Sequence, residues 1–210
     1  MAAASARPSG SASGGRLAGR AATAAVLMIG WIALLWVLEI VDFATGHALD
    51  SYGVTAREPS ELADILPAAF LHYGFGHVAA NSVPLLVLGF LAALGAGTGR
   101  FAGVVLTVIA ASGLGVWLTS PPGSVTLGAS GVVFGLFGYV LARGFVDRSV
   151  RDVLIGLLVA GLYGSILWGV LPVDGGISWQ AHLFGLLGGV AAAFLFRRRR
   201  VATGAAALTA

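Results

Sequence analysis

Five long stretches of this chain carry no Asp, Glu, Lys or Arg: residues 21–38, 65–99, 101–142, 153–173 and 175–196. About 20 apolar residues wound as a helix cross the roughly 30 Å hydrocarbon layer of a bilayer. Inside that layer each backbone N–H and C=O has to be satisfied within the protein. Runs of this length therefore commit the chain to membrane-spanning helices. The first, fourth and fifth runs hold one helix each. The second opens on a polar segment with His72, His77 and Asn81, which confines its helix to about 76–96. The third is long enough for two helices and is split by Pro121-Pro122-Gly123, because proline stops helices and glycine permits sharp turns. The expectation is an all-α, polytopic bundle of six transmembrane helices, near 22–43, 76–96, 101–119, 127–143, 152–171 and 178–196. Only 10% of residues are charged, against about a quarter in a soluble domain, and a soluble fold is set aside on that ground.

All twelve basic residues are arginines. With the N-terminus in the cytoplasm, eleven of them fall inside and only Arg57 outside, while Asp50, Glu58, Glu61, Asp64 and Asp174 fall in the outer loops. This positive-inside bias predicts an even number of spans with both termini cytoplasmic, in a bacterial plasma membrane. Trp117, Trp168 and Trp179 then sit at outer helix ends, as an aromatic belt does. The arginines flank apolar runs and build no basic face, so nucleic acid is not an expected partner. Cysteine is absent, which excludes disulfides and thiolate chemistry. Residues 1–20, rich in Ala, Ser, Gly and Arg, read as a disordered cytoplasmic arm. Residues 21–196 form the membrane domain. Residues 197–210 are a basic stop followed by a flexible tail.

Polar groups at membrane depth are costly and point to function or to helix packing. Three clusters stand out. His77 and Asn81, four apart, share one face at the outer start of the second helix. His72, five before His77, lies on another side or in the loop, where its simplest role is to satisfy backbone groups. Gly128-Ala129-Ser130-Gly131 opens the fourth helix. The 16 residues from Gly128 to Arg143 make about 24 Å of helix. If Arg143 marks the inner surface, Ser130 faces a cavity below the outer one. Taken alone, a serine here is equally a small packing residue. Ala181-His182 opens the sixth helix at a similar depth. Gly131 and Gly135 on one helix, and Gly185 and Gly189 on the other, form small-xxx-small pairs that let backbones approach closely in lipid. If those faces meet, Ser130 meets His182.

Serine needs a base within hydrogen-bond reach to act as a nucleophile, and neutral histidine serves. The oxyanion that follows needs pre-placed donors, which His77, Asn81 and the Ser130 backbone N–H could supply. No carboxylate offers itself as a third member. Asp174 lies in the adjacent loop and reads as solvated. The expected apparatus is a dyad, with no cofactor and no metal. A zinc centre on His72, His77 and His182 is the alternative chemistry, although no H-E-x-x-H accompanies it. Neither the mid-span aspartates of an aspartyl protease nor the paired broken helices of a transporter are present.

These residues also carry a resemblance. His72-x4-His77-x3-Asn81, Gly128-Ala129-Ser130-Gly131 and Ala181-His182-x2-Gly185-x3-Gly189, in that order on the second, fourth and sixth spans, resemble the motifs of the rhomboid intramembrane serine proteases over about residues 50–196. The resemblance implies a Ser130 nucleophile, a His182 base and an oxyanion site at His77 and Asn81. It also implies a cavity open to the outside, and single-pass transmembrane proteins cut near their outer ends within the lipid bilayer. Some relatives place a tyrosine four positions after the serine, packed on the histidine; here Phe134 keeps the ring and loses the hydroxyl. The Trp-Arg pair that many bacterial members carry in the first outer loop is missing from residues 44–71. A rhomboid-fold protein that binds or escorts membrane helices without cutting them is the non-catalytic alternative.

Overall fold

The computed structural model describes residues 11–172 and 178–198. Its main elements are α1 (Ser11–Ala44), β1 (Val54–Thr55), α2 (Ile65–Ala68), α3 (Phe75–Ala96), α4 (Thr98–Thr119), β2 (Val125–Thr126), α5 (Ser130–Val146), α6 (Val150–Tyr163) and α7 (Trp179–Leu195). A 3-10 helix, Gly164–Val170, continues α6. Four stretches are long and apolar enough to cross a membrane: Gly14–Ala44, Phe75–Ala96, Thr98–Thr119 and Val150–Val170. The other two apolar helices, α5 and α7, have 17 residues each. That length gives about 25 Å at 1.5 Å per residue, at the short end of what spans a bilayer.

The helix bodies follow the expected positions, and the ends differ for identifiable reasons. The first helix begins at Ser11, inside the segment expected to be disordered. Arg16-Leu17-Ala18 and Arg20-Ala21-Ala22 are strong helix formers, and charge stops a helix from entering lipid without stopping it from being a helix. Arg20 further ties this turn down by donating to the Leu94 carbonyl at 2.9 Å. Residues 1–10 and 199–210, with the expected arm and tail, lie outside the described residues, as does Asp174.

Arg143 neither ends its helix nor stands free in solvent. It is 5% exposed, pairs with buried Asp152 at 3.0 Å, and α5 runs on to Val146. Two charges withdrawn from water together are tolerated because each neutralises the other.

The bundle is organised around α7. It packs on α5 and α4 more extensively than any other helices pack on one another, and glycine decides how closely. A Cβ at Gly185 would lie 2.2 Å from the Gly131 carbonyl oxygen, and one at Gly189 1.8 Å from that of Gly135. Ser112 of α4 adds a hydrogen bond across the same region, its Oγ donating to the Ala181 carbonyl at 2.9 Å.

A short antiparallel pair closes one end. β1 and β2 align Val54 with Thr126 and Thr55 with Val125. The Gly128 N–H donates to the Ala68 carbonyl at 2.8 Å, and Trp117 Nε1 donates to the Glu58 carbonyl at 3.0 Å. The loop after α1 thus holds residues 121–129, the segment that delivers Ser130.

Candidate active site

Ser130 is the first residue of α5 and His182 lies in the first turn of α7. The α7 start is fixed by Ser178, whose side chain accepts from the Ala181 N–H at 3.2 Å, a normal N-cap. Both helix starts are at the same end of the bundle. With the glycine faces in contact, Ser130 Oγ comes to 2.9 Å from His182 Nε2. The other ring nitrogen, Nδ1, lies 2.8 Å from the Gly169 carbonyl oxygen. A carbonyl oxygen only accepts, so Nδ1 carries the proton. Nε2 is left with its lone pair facing the serine hydroxyl, the tautomer a base requires. Phe134, one helical turn beyond Ser130, stacks on the imidazole with centroids 4.0 Å apart and planes within 5°. His182 is therefore fixed in plane, in rotation and in tautomer.

Gly169 is the participant that sequence reasoning missed. It belongs to the 3-10 helix after α6. The group it contributes is a main-chain carbonyl, which no residue type advertises. Ser112 was missed as well, although a hydroxyl in the middle of an apolar helix is a polar group at membrane depth like the others.

The second wall comes from α3. His77 Nδ1 accepts from the Tyr73 N–H at 3.3 Å, which puts the ring proton on Nε2. That ring rests on Gly128, where a Cβ would lie 2.8 Å from His77 Cε1 and 3.0 Å from Nε2. Gly128 also has φ 136°, a conformation that side chains avoid. Glycine is required there twice over. Asn81 is buried, with Nδ2 donating to the His77 carbonyl at 3.2 Å. His77, Asn81, Ser130, Phe134 and His182 all line one cavity of about 440 Å³.

His72 is placed differently. It lies before α3, is 2% exposed, and its Nε2 accepts from the Ala129 N–H at 3.3 Å. Burial, with His77 beside it, pushes its imidazole down to about 3, so the ring is neutral and serves as that acceptor. His72 thus supports the backbone next to Ser130 and does not line the cavity. Its commitment also bears on the zinc alternative. Both nitrogens of His182, with His72 Nε2 and His77 Nδ1, already hold protein partners, and the three rings do not gather their ring nitrogens within 4.8 Å of one another. Among the described residues, the histidine and carboxylate atoms that gather within 4.8 Å belong to Asp42, His47 and Asp50. There Asp42 accepts from the Leu49 N–H and pairs with the His47 ring, each at 2.8 Å, closing the turn after α1.

Comparison with known proteins identifies the family. Residues 59–199 match the family model described as the Rhomboid domain. The chain is 40% identical over 173 residues to the uncharacterized protein Rv1337 of Mycobacterium tuberculosis, covering 79% of this chain and 72% of that one. It is 33% identical over 159 residues to a Bacillus subtilis protein provisionally named rhomboid protease YdcA, covering 73% and 74%. A chloroplast protein of Arabidopsis thaliana named rhomboid-like protein 11 is 34% identical over 151 residues, covering 62% and 51%.

Proposed function

The chain belongs to the rhomboid family of multi-pass membrane proteins, and from that premise we propose that it is an intramembrane serine endopeptidase working through Ser130 and His182. The observation that carries the reading is the 2.9 Å contact between Ser130 Oγ and the unprotonated nitrogen of His182, on the wall of a 440 Å³ cavity. In this reading α1, α3, α4, α5, α6 with its 3-10 extension, and α7 are six spans. Both termini are cytoplasmic in a bacterial plasma membrane, and the cavity opens outward. The substrates are single-pass membrane proteins cut near the outer end of their helix.

The chemistry follows from the donors and acceptors in place. Ser130 Oγ attacks the substrate carbonyl carbon as its proton passes to His182 Nε2. The charge that forms on Nδ1–H is stabilised by the Gly169 carbonyl, which takes the place a carboxylate holds in a triad. The oxyanion is met by the His77 Nε2–H, by the second Nδ2 proton of Asn81 and by the Ser130 N–H, one of the unsatisfied donors of a helix N-terminus. The C–N bond breaks as Nε2–H protonates the leaving amine. Water, activated by the same nitrogen, then hydrolyses the acyl-enzyme and restores Ser130.

Purified wild type, Ser130→Ala and His182→Ala, incubated in detergent with a model single-span substrate, test the proposal. Each substitution is expected to remove nearly all cleavage while leaving the melting temperature unchanged, and only the wild type should take up a fluorophosphonate probe at Ser130. Full cleavage by Ser130→Ala overturns the assignment. Substrate binding with no cleavage by the wild type moves the chain to the non-catalytic reading.

A further inference from the structure

The opposite end of the bundle holds a second cavity, of about 360 Å³, where α1, α3, α5 and α6 meet residue 198. From Ser130 to Arg143 along α5 is about 20 Å of helix, so this cavity is separate from the one described above. Its walls are of two kinds. Arg20, Arg143, Arg151 and Arg198 line one part, together with Asp152. Leu17 and Ile155 are among the aliphatic side chains that line the rest.

The charges do not balance. Asp152, only 3% exposed, lies 3.0 Å from Arg143, 3.2 Å from Arg151 and 3.7 Å from Arg198. Asp147 takes a further share of Arg198 at 3.8 Å. Arg20 is directed to main-chain oxygens, those of Leu94 and Gly95. Three guanidiniums therefore share two carboxylates, and Arg20 adds a fourth positive charge held by main-chain oxygens. Arg143, 5% exposed, has a buried Nε with no hydrogen-bond partner among the described residues. Like charges crowded at a protein–lipid boundary are screened less than in water, and an unpaired buried donor is costly. An anion in this cavity would relieve the crowding of charge.

The lining also says which anion. A free inorganic ion has no use for aliphatic walls. An amphiphile fits both kinds, its phosphate toward the arginines and its glycerol and first methylenes along Leu17 and Ile155. Basic pockets between membrane helices at headgroup level are suited to such ligands. We propose that this cavity binds the phosphate headgroup of an anionic phospholipid.

The test uses the full chain, purified in detergent, with lipid retention read by native mass spectrometry and stability by thermal melting. Dioleoyl phosphatidylglycerol is expected to be retained on the order of tenfold more tightly than dioleoyl phosphatidylcholine, from about two unbalanced charges. Arg20→Gln with Arg151→Gln should bring the two lipids to within about twofold. Arg20→Lys with Arg151→Lys should keep most of the preference. Arg100→Gln with Arg148→Gln, a charge-matched change elsewhere, should leave it intact. Equal retention of both lipids by the wild type overturns the proposal without any variant being needed, as does an unchanged preference in the double glutamine variant. Millimolar inorganic phosphate forms the third arm: saturable stabilisation by phosphate that phosphatidylglycerol does not compete away assigns the site to a free anion and overturns the lipid.

Discussion

Each face of the His182 ring system is accounted for by a different element: Ser130 of α5 at Nε2, Gly169 beyond α6 at Nδ1, and the Phe134 ring stacked on its plane. Gly169 is the most exposed to substitution. A Cβ there would lie 2.9 Å from Phe134 Cζ and 3.0 Å from His182 Nδ1, and two stacked rings have little room to retreat. Gly169→Ala is expected to lower kcat with little change in KM and to leave the melting temperature within a few degrees. Normal turnover in that variant would show that the stacked rings accommodate the added methyl without losing their alignment. Asn81→Ala should lower turnover roughly ten- to a thousandfold, the range for a lost oxyanion donor; steady-state kinetics on the same substrate decide it. Ser130, His182, His77 and Asn81 were legible in the sequence because a polar side chain at membrane depth needs a reason to be there. Gly169 was not legible, since its contribution comes from the backbone that all residues share.

At the scale of elements, glycine spacing foretold which helices touch. Gly131 and Gly135 face Gly185 and Gly189 with main-chain atoms in contact, as the small-xxx-small pattern expects. Gly185→Val forces a branched side chain against the Gly131 backbone one residue after Ser130. Overpacking costs about 1–3 kcal/mol where side chains can shift, and here the obstacle is backbone, so the upper end applies. Melting temperature and activity should fall together; a variant that loses neither contradicts the close packing. The β1–β2 pair was not foreseen. Two-residue strands are too short to show an alternating pattern, and their partner lies 70 residues away in the chain. The start of α1 was misplaced because a search for charge-free runs ends where lipid ends, whereas the helix goes on into water.

The whole molecule has two ends with opposite chemistry. One carries the Ser130 cavity beneath β1 and β2, and the other carries the arginine-lined cavity around Asp152. If six helices cross the bilayer, the loops holding Ser51 and Arg148 emerge on opposite sides. The absence of native cysteine makes this simple to measure. Ser51→Cys in intact cells should react with a membrane-impermeant maleimide, and Arg148→Cys should react only after lysis. Labelling of both from the same side would require a different number of crossings.

The seam between α5 and α7 has a consequence for how such a chain can change over time. Where two helices meet at glycines through main-chain atoms, the separation of the groups they carry is set largely by covalent dimensions common to all proteins. Lipid-facing residues such as Leu187 and Phe194, each more than half exposed, take no part in setting it. Most of the surface can therefore drift among apolar residues without retuning the serine–imidazole distance, while four positions without side chains hold nearly all the constraint.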